Sequence, residues 1–141
     1  MPAVIDVLRA RILIVDDQQA NLRLLEFALR RAGYVGVTST AEPVEVCALH
    51  HQNHYDLIIL DLQMPHMNGF QVMEGLAKAE GGERAVILVL SADPVQMSRA
   101  LAAGAAGFLS KPFVLAEVVA RVQAMLTAPK STQPERLLAT A

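Results

Sequence analysis

Five short apolar runs recur along the chain, and each is followed by a segment whose apolar residues have helical spacing. The runs are residues 12–15, 36–38, 57–60, 86–90 and 107–109. Most of them are continuous rather than alternating, which is typical of strands buried on both faces of a parallel sheet. The pattern therefore predicts five parallel strands.

The intervening segments predict five helices, at residues 21–32, 42–50, 68–80, 94–103 and 113–126. Gly33 is a typical residue just past a helix end, and Asp93 with Pro94 forms a typical helix start. Five alternations of strand and helix predict an α/β fold, a doubly wound (βα)5 three-layer sandwich. Such folds place their sites beyond the carboxyl ends of the strands.

Length and composition fit one packed domain. The chain has 141 residues, of which 53% are hydrophobic and 18% charged, so a single core is expected. We expect residues 11–127 to form the domain and residues 1–10 to be an N-terminal extension. Residues 128–141, which contain two prolines beside Ser131 and Thr132, read as a linker or tail.

Charge and hydropathy exclude several classes of function. The net charge of −2 and the scattered basic residues argue against direct nucleic-acid binding. No apolar stretch approaches the ~20 residues of a membrane span. Asp6 and Arg9 interrupt the N-terminal apolar run, which argues against a secretory signal, and the single Cys47 fits a reducing compartment. The cytoplasm is the expected location.

Chemically active residues follow four of the predicted strands. Asp16 and Asp17 follow the first strand, Asp61 the third, Ser91 the fourth and Lys111 the fifth. In the predicted fold these residues converge on one edge of the sheet. Clustered carboxylates need a cation, and oxygen ligands without thiolate or imidazole favour Mg²⁺, with Mn²⁺ as an alternative. A carboxylate beside such an ion can form an aspartyl-phosphate.

Each of these residues, taken alone, also has a structural interpretation. A single aspartate after a strand is usually a helix cap or a turn residue, and a single lysine is usually solvated. The joint occurrence of the required types at one edge favours the functional interpretation. The four histidines are not interpreted as a metal site, because His50, His51 and His54 crowd one helix end without ligand spacing.

These residues resemble the receiver domains of two-component response regulators over residues 10–127, and the chemotaxis-type single-domain receiver in particular. The resemblance rests on four segments taken in order. They are residues 12–17 (ILIVDD), residues 61–69 with DLQMP and the following NG, Ser91-Ala92, and residues 107–113 (GFLSKPF). It implies a flavodoxin-like fold with strand order 2-1-3-4-5.

The resemblance also implies a role for each residue at the sheet edge. Asp61 is the phosphoacceptor, and Lys111 pairs with the phosphoryl oxygens. Mg²⁺ is held by Asp16, Asp17 and Asp61 together with the backbone carbonyl of Gln63. Ser91 acts in catalysis and, with Phe108, forms the switch. The Lys111–Pro112 peptide is expected to be cis, and Gln63 and Asp93 are expected to tune the hydrolysis rate.

Two residues differ from the commonest pattern of the family. Ser91 replaces a frequent threonine and lacks its methyl group, so its rotamer is less restricted. Phe108 replaces a frequent tyrosine and cannot hydrogen-bond. The expected function is phosphorelay signal transduction, with a sensor histidine kinase or phosphotransfer protein as donor. The chain is not expected to be an enzyme beyond catalysing its own phosphorylation and dephosphorylation.

The expected output is a change in partner binding on the face formed by the fourth helix, the fifth strand and the fifth helix. The partner is a downstream protein or an output domain, with a homodimer as a further candidate. The fifth helix is apolar on nearly all sides, which also fits a helix packed in a tight core. The alternative function is a pseudo-receiver, a protein-interaction scaffold that is never phosphorylated. A phosphohydrolase is disfavoured because Gln63 stands where such enzymes carry an acid.

Overall fold

Five parallel strands form one sheet in the order β2-β1-β3-β4-β5, as predicted. The computed structural model describes residues 7–65, 67–78 and 85–127. The strands are β1 (Arg11–Val15), β2 (Gly36–Thr40), β3 (Leu57–Asp61), β4 (Val86–Ser91) and β5 (Gly107–Ser110). β1, β3 and β4 are the central strands, and nearly all of their residues are buried. Burial on both faces explains their continuous apolar sequences.

Within the part of the chain that the structure describes, five α-helices connect the strands and cover the sheet. They are α1 (Gln19–Arg31), α2 (Val46–Asn53), α3 (Gly69–Lys78), α4 (Met97–Ala102) and α5 (Leu115–Thr127). Gly33 follows α1 with a φ of 108°, the left-handed conformation that its predicted position after the helix requires. These helices confirm the predicted alternation of strand and helix.

The helices α2 and α4 begin four and three residues later than predicted, since a tight turn precedes each. Pro43–Glu45 and Pro94–Gln96 are 3₁₀ turns, in which the next residue donates its N–H to the carbonyl of the proline. Proline fits this first turn because it has no N–H to lose. The regular α-helix therefore starts at Val46 and at Met97, several residues after the predicted bounds.

The core has two halves, one on each face of the sheet. Alternate strand residues such as Ile14 and Ile59 pack with α1 and α5, while their neighbours such as Val15 and Leu60 pack with α2, α3 and α4. This is the predicted three-layer sandwich. Burial of each such side chain contributes about 1.5–3 kcal/mol, so the sheet edge that follows these strands is held firmly.

Some predictions lie outside the described residues. They concern the N-terminal extension up to residue 6, the end of the third helix at residues 79–82, His66, and the tail at residues 128–141. Among the residues that the structure does describe, no helix has the length and apolar character needed to cross a membrane.

Candidate functional site at the carboxyl edge of the sheet

Three aspartates lie together at the carboxyl ends of β1 and β3. Asp61 is the last residue of β3, and Asp16 and Asp17 directly follow β1. The ladder aligns Val15 with Leu60, so positions 16 and 61 are neighbours. One oxygen from each aspartate lies within 4.8 Å of the oxygens of the other two. The fold thus gathers the acidic residues that the sequence places in two separate segments.

Lys111 brings a positive charge to the same edge. Its Nζ lies 3.3 Å from Asp16 Oδ2 and 3.2 Å from Asp61 Oδ1. The β4–β5 ladder positions it, because the Lys111 N–H donates to the Ser91 carbonyl at 2.8 Å. The Lys111–Pro112 peptide bond is cis. One ammonium group therefore contacts two of the three carboxylates.

Burial dominates the electrostatics of Asp61, whose exposed fraction is 2%. Desolvation raises the pKa of the Asp61 carboxyl. The Gln63 N–H, which donates to Asp61 Oδ1 at 3.1 Å, and the Lys111 charge lower this pKa, while the charge of Asp16 raises it. Desolvation is the largest of these effects, so the pKa of Asp61 is raised. With three carboxylates and one ammonium group, the site carries a net negative charge when all of its carboxylates are ionised.

The donor set of this site fits Mg²⁺. All three acidic side chains offer carboxylate oxygens, and a hard divalent cation prefers oxygen ligands of this kind. Mn²⁺ accepts the same ligands. A divalent cation would also compensate the net negative charge of three carboxylates and one lysine.

Asp16 is held in place by hydrogen bonds from the start of α1. The Gln18 N–H donates to Asp16 Oδ1 at 2.9 Å, and Asn21 Nδ2 donates to Asp16 Oδ2 at 3.1 Å. Asp16 has an exposed fraction of 1%, and these donors satisfy the hydrogen-bonding capacity of its buried oxygens. Sequence reasoning missed Asn21 as part of the site. Its place in the first turn of a helix that begins just after Asp16 was the available signal.

Ser91 is fully buried, and its hydroxyl is engaged by the turn that follows β4. Ser91 Oγ donates to Gln96 Oε1 at 2.9 Å and accepts the Asp93 N–H at 3.1 Å. Asp93 also caps the 3₁₀ turn, because its Oδ1 accepts the Val95 N–H at 3.0 Å. Gln96 was not predicted as a site residue, and nothing in the sequence distinguishes it from an ordinary helix-start glutamine.

Phe108 lies on β5, opposite Val89 of β4. Its ring is partly buried and packs against the core half that faces α2, α3 and α4. Gln63, two residues beyond Asp61, is exposed on the surface of the site. Gln63 therefore lies beside the aspartates, whereas Phe108 lies on the edge strand β5, which β4 separates from β3.

The histidine cluster lies at the opposite edge of the sheet, just before β3. His50 is buried at the end of α2, and its Nδ1 accepts the Tyr55 N–H at 3.0 Å. His54 ends α2 with a left-handed φ of 54°. Within residues 7–65, 67–78 and 85–127, the aspartate trio is the one group of acidic, histidine or cysteine side chains that could hold a metal ion.

Comparison with known proteins agrees with this geometry. The family model of the response regulator receiver domain matches residues 12–123. The transcriptional regulatory protein PrrA of Mycobacterium tuberculosis is 36% identical over 122 residues, which cover 86% of this chain and 52% of PrrA. The chain thus spans about half the length of this relative.

Two solved structures share the fold over most of their length. The chemotaxis protein CheY4 of Vibrio cholerae is 29% identical, with a TM-score of 0.76, and the match covers 83% of this chain and 98% of CheY4. The receiver domain of a sensor histidine kinase of Pseudomonas aeruginosa is 30% identical, with a TM-score of 0.76 and coverage of 85% and 99%. That receiver was crystallised with a magnesium ion coordinated in its active-site cleft. The chain belongs to the response regulator receiver family and is a receiver domain of two-component phosphorelay signalling.

Proposed function

We propose that this receiver takes a phosphoryl group on Asp61 from the phosphohistidine of a sensor histidine kinase or a phosphotransfer protein, in a Mg²⁺-dependent reaction. The observation that carries the proposal is the ion pair of a buried Asp61 with Lys111, with oxygens of two further carboxylates within 4.8 Å at the strand ends. A buried carboxylate with a raised pKa is more basic, and hence a better nucleophile, than a solvated one.

The reaction breaks one bond to phosphorus and forms another. An oxygen of the ionised Asp61 carboxylate attacks phosphorus, and the nitrogen–phosphorus bond of the donor histidine breaks with its electron pair left on the imidazole. Lys111 Nζ, now 3.2 Å from Asp61 Oδ1, would shift to the oxygens of the transferred group. In later hydrolysis, water attacks phosphorus and Asp61 returns as the carboxylate with release of inorganic phosphate.

The metal would be held by Asp16, Asp17, Asp61 and the backbone carbonyl of Gln63. When bound, Mg²⁺ would neutralise the charge on the phosphoryl oxygens during transfer. Asn21 and the Gln18 N–H fix the orientation of Asp16 toward this site. The protein thereby catalyses its own phosphorylation and dephosphorylation, with Gln63 and Asp93 tuning the access of water.

The switch would consist of Ser91 and Phe108. On phosphorylation, the Ser91 hydroxyl would turn to the phosphoryl group, and the Phe108 ring would move into the space left behind. Both residues adjoin the surface of α4, β5 and α5, where Val95, Met97 and Leu101 are 83%, 46% and 46% exposed. Exposed apolar side chains in one region are typical of an interaction surface. A downstream protein or output domain is the proposed partner, and a homodimer is the further candidate.

The central test is phosphorylation by a small-molecule donor. Incubation of the chain with acetyl phosphate and Mg²⁺ should add one phosphoryl group, detected by intact mass, with acetate as the leaving group. Chelation of the metal or the substitution Asp61→Asn should abolish the gain, and Asp56→Asn, at the other end of β3, should leave it unchanged. An unmodified wild-type chain in the presence of Mg²⁺ would instead indicate a pseudo-receiver.

The proposed output has a separate test. Size-exclusion chromatography with and without a phosphoryl analogue should show a change in oligomeric state if the α4-β5-α5 surface binds a second copy. A monomer in both states would remove the homodimer and leave a different protein or an output domain as the partner. We further propose residues 11–127 as the boundaries of the receiver.

A further inference from the structure

The Ser91 hydroxyl has a single proton, and in this structure it donates this proton in a hydrogen bond to Gln96. Ser91 Oγ donates to Gln96 Oε1 at 2.9 Å, while the backbone carbonyl of Asp93 lies farther away, at 3.5 Å. A serine hydroxyl can donate only one hydrogen bond at a time. Donation to Gln96 and donation to a phosphoryl oxygen on Asp61 are therefore mutually exclusive.

We propose that Gln96 is a positioning residue that holds the Ser91 hydroxyl in its unphosphorylated orientation and transmits its release to α4. The inference rests on the proposed phosphorylation of Asp61. Gln96 acts through Ser91 and does not contact the phosphoryl group. Its carbonyl oxygen competes with the phosphoryl group for one proton, so it lowers the apparent affinity of the site for that group.

The identity of residue 91 makes this bond decisive for its orientation. Threonine carries a β-branch that restricts χ1, whereas serine has no methyl group and rotates among three staggered wells. In this chain the hydrogen bonds therefore select the rotamer. The Asp93 N–H donates to Ser91 Oγ at 3.1 Å and fixes the oxygen, and Gln96 fixes the direction of the proton.

The same bond connects the site to a surface of the protein. Gln96 is the last residue of the Pro94–Gln96 turn and the N-cap residue of α4. Val95 within this turn and Met97 directly after it are largely exposed. Loss of the bond to Ser91 removes a tie between β4 and this turn, so the exposed apolar side chains at the start of α4 gain freedom to move.

The substitution Gln96→Met tests the proposal because it keeps the length of the side chain and removes the acceptor. The probe is beryllofluoride, a phosphoryl analogue, titrated with Mg²⁺ into the full chain and followed by ¹⁹F NMR. A neutral hydrogen bond of ordinary strength predicts binding tighter by about 2- to 10-fold in Gln96→Met than in the wild type. Gln123→Met, an equivalent change at an exposed position of α5, should have no effect.

A double-mutant cycle separates positioning from a merely structural role. In the Ser91→Ala background there is no hydroxyl to hold, so Gln96→Met should leave beryllofluoride affinity unchanged. An equal effect of Gln96→Met in both backgrounds, or no effect in the Ser91 background, would overturn the proposal. The ¹³C resonance of the Met97 methyl group should shift with beryllofluoride in the wild type, and Gln96→Met should move it in the same direction without the analogue.

Failure of this inference can be told apart from failure of the proposed function. Acetyl phosphate should modify both the wild type and Gln96→Met on Asp61. If neither chain is modified, the proposed phosphorylation itself is wrong. If both chains are modified, but Gln96→Met changes neither the beryllofluoride affinity nor the Met97 resonance, the proposed phosphorylation is supported and the role of Gln96 is refuted.

Discussion

Replacing Asp61 by asparagine should stabilise the folded protein at neutral pH when no divalent cation is present. Asparagine has nearly the same shape as aspartate, and its side-chain oxygen can still accept the Gln63 N–H that now reaches Asp61 Oδ1. The substitution removes a charge from a side chain that is 2% exposed. The desolvation penalty of the buried charge and its repulsion by Asp16 are lost with it.

The magnitude follows from the distances in the site. At an effective dielectric constant of about 20, two charges at the 4.8 Å limit of the aspartate trio repel by about 3.5 kcal/mol. Asp16 is such a charge, and the attraction of Lys111 at 3.2 Å offsets this repulsion by about 5 kcal/mol. The two charges nearly cancel, so the desolvation of the buried carboxylate, which is the largest cause of its raised pKa, leaves a net penalty of about 2 kcal/mol. For a domain of this size it corresponds to a rise in Tm of roughly 8 °C.

The sign of the pH dependence gives a second readout. The pKa of Asp61 in the folded protein is raised above its ordinary value of 3.8, so the folded state binds this proton more readily than the unfolded chain. The advantage of Asp61→Asn is therefore fully present above the raised pKa and shrinks as the pH falls through it toward 3.8. Saturating Mg²⁺ should also reduce the difference, because it favours the ionised wild-type site.

Thermal and urea unfolding of both chains in EDTA, at several pH values between 4 and 8, would measure this difference. The matched control is Asp56→Asn, because Asp56 is exposed at the other end of β3 and asparagine can still accept the Arg11 N–H there. That control should change stability by less than about 0.5 kcal/mol. Equal or lower stability of Asp61→Asn at neutral pH, or a difference independent of pH, would refute the electrostatic reasoning.

Three further predictions concern the same edge of the sheet. Lys111→Met should reduce phosphorylation by acetyl phosphate by at least about 10²-fold, measured by intact mass over time, since a preorganised charge at the transferred group is lost; a rate near that of the wild type would contradict it. Gly69→Ala should destabilise the fold by about 2 kcal/mol in urea unfolding. An added Cβ would lie 2.8 Å from the Asp61 carbonyl oxygen and 2.7 Å from a Leu62 methyl group. An unchanged unfolding midpoint would show that α3 can shift at no cost. Mg²⁺ affinity measured by calorimetry should fall as the pH decreases through the raised pKa of Asp61, because protonation removes a ligand; constant affinity between pH 7 and pH 4 would exclude Asp61 from the metal site.

The strand-end residues could be predicted because a parallel sheet orders its strand ends in space. Once five strands were recognised, Asp16, Asp61 and Lys111 had to approach one another at one edge, whatever the details of packing. Asn21 and Gln96 could not be found in this way. Their roles depend on whether a side-chain rotamer brings them within hydrogen-bond distance of Asp16 or Ser91 across a turn. The local sequence does not encode the distance between those atoms.

The fifth helix illustrates the same limit. Its sequence is apolar on nearly all sides, which is compatible with burial on several sides or with an exposed interaction surface. In the structure Val118 and Val122 are buried against the core, whereas Ala116 and Ala120 are exposed. The choice between the two interpretations needed the position of the neighbouring helix and sheet.

The sequence by itself determined the alternation of strands and helices, the three-layer sandwich and the convergence of the acidic residues with Lys111, since periodicity and chain order fix these properties. The order of the strands was implied by the resemblance to receiver domains and not by periodicity. Tertiary structure alone decided the burial that raises the pKa of Asp61 and the direction of the Ser91 proton toward Gln96. Desolvation and hydrogen-bond choice depend on distances between segments that are far apart in the chain or that meet across a tight turn. Those distances exist only once the two halves of the core have packed.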